Sequence, residues 1–160
     1  MRLVCALPIA LAATLFACSS DSQPSGGGSN VSPAGVGGRV ADGQADVYAP
    51  GLTKAAGTMT VKLVEAKPGP PVKGNNELTL EVLDASGQPV DGATVTVTPW
   101  MPDHAHGSAV KPTVTPTGGG RYHVTDVYLA MAGLWQIKVD VQPAGGGALQ
   151  EAVFQFFLDG

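Results

Sequence analysis

The chain has 160 residues, 9 Lys and Arg against 13 Asp and Glu, and a formal net charge of −4 at neutral pH. That length allows one domain with tails. The acid excess and the lack of any basic run exclude nucleic acid as a partner, because phosphate binding needs clustered Lys and Arg.

The chain opens "MRLVCALPIALAATLFACSS". Arg2 supplies a short positive segment, and Leu3 to Phe16 is an apolar run too short to span a bilayer as a stable helix. Small Ala17 directly precedes Cys18, with apolar Leu15 three positions before it. The pattern resembles the bacterial lipobox. That resemblance implies cleavage after residue 17 and a diacylglycerol thioether on Cys18. A secretory signal cut near Ala17, or an uncleaved anchor, is the alternative. On the lipoprotein reading Cys5 leaves with the signal and Cys18 carries lipid, so the exported domain has neither thiol nor disulfide. Ser19 is compatible with sorting to an outer membrane, the periplasmic face of a Gram-negative cell.

Residues 18–53 read as a tether. "SSDSQPSGGGSNVSPAGVGG" is nearly all Ser, Gly, Pro and small residues, and buries too little apolar surface to offset its ordering entropy. "ADVYAPGL", near its end, either docks on the domain edge or continues the tether.

Residues 54–160 form the domain. "TMTVKLVEA" sets Met59, Val61 and Leu63 against Thr60, Lys62 and Val64. "ELTLEVLDA" sets Leu78, Leu80 and Val82 against Glu77, Thr79 and Glu81. Period two with one apolar face is the signature of a half-buried strand. After the turn cluster "SGQPVDG", "ATVTVTPW" places Ala93, Val95 and Val97 on one face. "SAVKPTVTP" is a weaker strand whose Pro112 and Pro116 suit an edge, and "TGGGR" is a hairpin turn. "YHVTDVYL" follows, then "GLWQIKVDV", with Trp135, Ile137, Val139 and Val141 on one face. "ALQEAVFQFFL" closes the chain, with Val153 and Phe157 among its apolar positions. About seven short strands with frequent turns and no helical period predict an all-β, immunoglobulin-like antiparallel sandwich, with Trp135 as aromatic core anchor.

"GATVTVTPWMPDHAHG", followed by "GGGRYHVTDVYLAMAGLWQIKVDV", resembles the YtkA-like and FixH-like domains over residues 58–158. The residues that carry the resemblance are Met101, Pro102, His104, His106 and Gly107, then Gly120, Tyr122, Met131, Gly133 and Trp135. The resemblance implies a small exported or membrane-anchored sandwich, associated in some members with copper handling and assembly of haem-copper oxidases. Many relatives carry a further methionine near the histidines, where this chain has Asp103 or Ala105.

The candidate site is "MPDHAHG". In an extended segment, residues two apart point to one side about 6 to 7 Å apart, so His104 and His106 can converge on one ion. Met101 lies across the turn with a polarizable thioether. Imidazole with thioether suits copper, as Cu⁺ or Cu²⁺, better than zinc, which asks for a third or fourth donor such as Asp103. Met131 joins this set if its turn lies beside the loop, although it and Trp135 are the more ordinary core residues; His123 faces elsewhere. The plain alternative is a turn in which Met101 plugs the end of the core and both histidines face water.

No catalytic role is expected. There is no G-x-S-x-G elbow, and Asp103, His106 and Ser108 are too close in sequence for a nucleophile, base and orienting group. Two functions remain. One is a lipid-tethered carrier that holds copper at Met101, His104 and His106 for a protein partner in the envelope. The other is an interaction or structural module without metal.

Overall fold

A computed structural model of the chain describes residues 45–160. The signal segment, Cys18 and most of the tether lie outside the described residues.

The alternating segments are strands. In chain order they are β1 (Leu52–Ala56), β2 (Met59–Lys67), β3 (Gly74–Leu83), β4 (Thr94–Met101), β5 (His106–Gly107), β6 (Thr113–Gly118), β7 (Arg121–Leu129), β8 (Gly133–Gln142) and β9 (Gln150–Leu158). They form two antiparallel sheets, ordered β1-β2-β3-β7-β6 and β5-β4-β8-β9. Both apolar faces turn inward, giving the expected immunoglobulin-like sandwich. Val61, Leu63, Leu80, Val82 and Val124 from the first sheet meet Val97, Trp135, Ile137, Val139 and Phe154 from the second. Each such side chain contributes about 1.5–3 kcal/mol on leaving water. Trp135 is fully buried, as its place in the alternation predicts.

Two strands exceed the expected seven. β1, "LTKAA", has little β-forming character and is held by its hairpin onto β2, from Leu52 opposite Leu63 to Ala56 opposite Met59. β5 has only two residues, too few for any period to register. β6 pairs only with β7, which leaves it at the edge that its prolines suggest. In β9 the interior face is Ala152, Phe154, Phe156 and Leu158; Val153 and Phe157 point the other way and are half-buried.

"ADVYAPGL" docks. The Asp46 N–H donates to the Gln155 carbonyl at 2.7 Å, and the Gln155 N–H donates to Asp46 Oδ2 at 2.8 Å. Lys54 Nζ donates to the other Asp46 oxygen at 2.5 Å. Tyr48 sets its ring edge-on to Phe156 at 6.3 Å and accepts the Ala66 N–H at its hydroxyl. The packed chain thus includes Asp46 and Tyr48, ahead of the boundary at residue 54 that the tether's composition suggests.

Across the outer face of the first sheet, Glu81 stands between Lys62 and Arg121, its register neighbours on β2 and β7. Lys62 Nζ lies 3.1 Å and Arg121 Nε 3.2 Å from its two carboxylate oxygens. The Lys62 hydrogen bond, offset in part by burial and helped by Arg121, holds the Glu81 pKa below the usual carboxylate range. A pKa lower in the folded than in the unfolded state stabilises the fold above that range. The contribution is lost as pH falls through the lowered folded value. Glu81→Gln should therefore lower the unfolding free energy measured in urea at pH 7 by roughly 1 kcal/mol, after discounting for the solvent-exposed partners. At pH 3 the variant and the parent should differ much less. Equal differences at both pH values would show that the charge is not what stabilises.

Candidate metal centre

β4 runs out of the sandwich at Met101. Its alternation buries Val95, Val97, Pro99 and Met101 in turn, with Thr94, Thr96 and Thr98 outside. Pro102 then fixes φ and starts a 3-10 turn over Pro102–His104. Ala105 takes the left-handed conformation, at φ 51°, and returns its N–H to the Pro102 carbonyl. The chain re-enters as β5, with Met101 opposite His106 and Trp100 opposite Gly107.

This geometry corrects the extended "MPDHAHG" segment expected from sequence. A tight turn separates His104 from His106, yet it brings them together. Their ring centres are 5.8 Å apart, and both side chains are exposed. Two imidazoles bound to one ion at about 2 Å each have centres roughly 5.3 Å apart at a tetrahedral angle and roughly 6.5 Å apart when linear. The observed spacing lies inside that window.

His106 has two further partners. Its Nδ1 is 3.0 Å from the Gly107 carbonyl oxygen. A carbonyl only accepts, so Nδ1 carries the proton and the neutral ring keeps its lone pair on Nε2. This is the arrangement that orients histidine ligands in metal sites. The ring also stands edge-on to Trp135, at 6.2 Å. Trp135 in turn donates its indole N–H to the Met131 carbonyl at 2.9 Å. These contacts of Trp135 and Gly107 were missed in sequence reading, because neither residue type is a ligand and their role is only to hold the ring.

The remaining expected ligands fall apart. Met101 is 1 % exposed and belongs to the core, so its sulfur is not on the open side of the bend. The reason is its parity with Val95 and Val97: the same alternation that fills the core carries Met101 into it. Met131 shows the reverse. It is 38 % exposed on the bend before β8, rather than a core residue. Asp103 lies exposed on the 3-10 turn, and among the described residues no three His, Cys, Asp or Glu side chains converge. His123 sits in the other sheet, 3.1 Å from Glu77. The structure therefore brings together His104 and His106, with Trp135 behind them and Met131 adjoining through Trp135. It leaves Met101 and Asp103 out.

Gly133 fits these parts together. It has φ 124°, and a Cβ there would collide with the Met101 methyl group. The positive φ favours glycine, and a Cβ would fit only if the Met101 methyl group moved aside.

Residues 53–140 match the model of the YtkA-like family. No curated protein matches the chain. Solved structures similar to it include a DUF4426 family protein from Pseudomonas aeruginosa, at 15% identity and TM-score 0.48, covering 68% of this chain and 99% of that one. A copper-bound variant of FetP from uropathogenic Escherichia coli is 11% identical with TM-score 0.46, covering 71% of this chain and 92% of that one.

Gly133→Ala should cost about 1–3 kcal/mol in denaturant unfolding, from backbone strain and the collision with Met101. Trp135 emission should shift red as its pocket opens. A variant as stable as the parent would mean that Met101 repacks freely and that the close approach is not required.

Proposed function

The chain belongs to the YtkA-like family, and from that premise we propose that it is an exported, lipid-anchored carrier that holds one copper ion in transit at His104 and His106. The observation that carries the reading is the pair of exposed imidazoles at 5.8 Å, one of them oriented by the Gly107 carbonyl. Two nitrogen donors with open positions form a weak, exchangeable site. Among divalent first-row ions copper binds such donors most strongly. Zinc asks for further donors, and Asp103 does not converge with the imidazoles. Met131, whose carbonyl accepts the Trp135 indole N–H, carries the exposed thioether among the described residues, and on this reading it would serve the reduced ion. A site of this kind accepts and releases metal by ligand exchange, which suits periplasmic metal handling or delivery to an oxidase under assembly.

The anchor belongs to the same reading. Leu3 to Phe16, Ala17 and Cys18 supply the lipobox pattern, and the Ser/Gly/Pro-rich segment behind them supplies reach. A flexible tether raises the local concentration of the carrier near a membrane partner without fixing its orientation.

Metal content after dialysis against copper and zinc tests the site. The lipidated full chain should retain about one copper per chain, and His104→Ala/His106→Ala should retain none. Trp135 fluorescence should be quenched on loading, since its ring stands against His106. Met101→Leu should keep its copper, at a stability cost under about 1.5 kcal/mol, because its sulfur is a core atom. Copper retained equally by the double-histidine variant would overturn the site. No copper in either protein, with melting temperatures unchanged, would instead favour an interaction module whose exposed turn recognises protein.

A further inference from the structure

The sandwich has four sheet edges, and three of them are guarded. β6 carries Pro116 and follows Pro112, which remove ladder donors. β9 is capped where Asp46 exchanges hydrogen bonds with Gln155. β1 carries the charge of Lys54. The fourth edge is β4. Its neighbour β5 reaches only Trp100 and Met101, and no other described strand pairs with Thr94–Thr98 on that side.

The direction of the free groups follows from the pairing. The Pro99 carbonyl accepts the Ser108 N–H at 3.2 Å, so it points to the β5 side. β4 pairs with β8 without a register shift from Thr94 to Trp100. Backbone groups alternate along a strand, so the N–H and C=O of Val97 and Val95 point to that same open side. A short, flat, uncharged run rich in β-branched residues is thus left as a template for another strand.

We propose that this edge pairs with itself, joining two copies of the chain through β4. The segment Thr94-Val95-Thr96-Val97-Thr98 reads the same in both directions. Laid antiparallel about a two-fold axis through Thr96, it places Val95 opposite Val97 of the second copy, and each pair exchanges both N–H···O bonds. Every outward group of the two valines then finds a partner. Thr94 faces Thr98 across the join, and Thr96 faces itself. A two-fold interface needs a self-complementary patch, and a palindromic strand is one. The five residues carry no charge; Lys138 and Asp140 stand one strand further in on β8, and Lys111 lines the groove beside Thr96–Pro99.

An open groove of about 350 Å³ runs along the edge, between Thr96–Pro99 on one side and Gly107, Ser108, Val110, Lys111 and Pro112 on the other. Val110 is 40 % exposed. A five-residue edge with this apolar margin falls short of the roughly 1,200–2,000 Å² buried in stable complexes, so the dimer is a transient one. The copper turns lie at the far ends of the paired strands. The pairing therefore does not rest on the metal reading, and its test needs no metal.

Register-specific cross-linking of the detergent-solubilised full chain decides the question. Thr96 is exposed, and in the proposed pair its Cα lies about 4.5 Å from its counterpart, within reach of a disulfide. Thr96→Cys should give an oxidised dimer well above the parent, whose oxidation sets the background. Thr94→Cys should give none above that background, whereas Thr94→Cys/Thr98→Cys should cross-link. Thr96→Lys, which sets two ammonium groups face to face, should sediment as a monomer with an unchanged melting temperature where the parent self-associates. Equal cross-linking of Thr94→Cys and Thr96→Cys would overturn the proposal. So would no dimer above background, or cross-linking of Thr96→Cys only to a different protein.

Discussion

The structure depends on how the second sheet ends at Met101. Its side chain continues the row that begins at Val95, and its methyl group lies where Gly133 leaves no Cβ. Beyond Met101, Pro102 has no N–H for the ladder and starts the 3-10 turn, and Ala105 turns the chain again. Met101 thus marks where the buried row ends, and the turn that follows sets the two exposed imidazoles side by side.

That arrangement divides the work between neighbouring residues. Met101 and Trp135 are buried, and Gly133 leaves room for the Met101 methyl group. His106 stands edge-on to the buried Trp135, while its own backbone neighbour accepts the proton of Nδ1. His104 has no comparable support and lies on the outer end of the 3-10 turn. On the proposed reading, one fixed and one freer imidazole suit capture and release of an ion. A fully pre-formed cage would bind more tightly and exchange more slowly.

The management of sheet edges says something further about the molecule. Asp46, Tyr48 and Lys54 tie the entering chain across one side of the sandwich, next to β9. On the opposite side, where β4 and β6 lie near one another, the guard is Pro116 on β6 and Pro112 just before it. A charge or a proline within Thr94–Thr98 would have guarded β4 as well, at little cost to a half-exposed strand. The open edge is consistent with a surface kept for pairing.

The alternation of apolar residues, read alone, located the long strands, named most of the core and placed Trp135 inside, because period two is a local property that burial rewards directly. The same rule covers Met101, two residues beyond Pro99 and in phase with Val97, and it favours the alternative in which Met101 plugs the end of the core. The histidine pair was visible as a pattern. Its spacing was not, since a 3-10 turn with one left-handed residue replaced the extended segment, and no period marks such a turn. β1 and β5 were illegible for a different reason: one has little β-forming character and the other two residues, so each exists only because a neighbouring strand supplies its hydrogen bonds. The exposure of Met131, the support of His106 by Trp135, and the open edge of β4 depend on which strands lie beside which. Only the tertiary pairing, a matter of contacts distant in sequence, decides that.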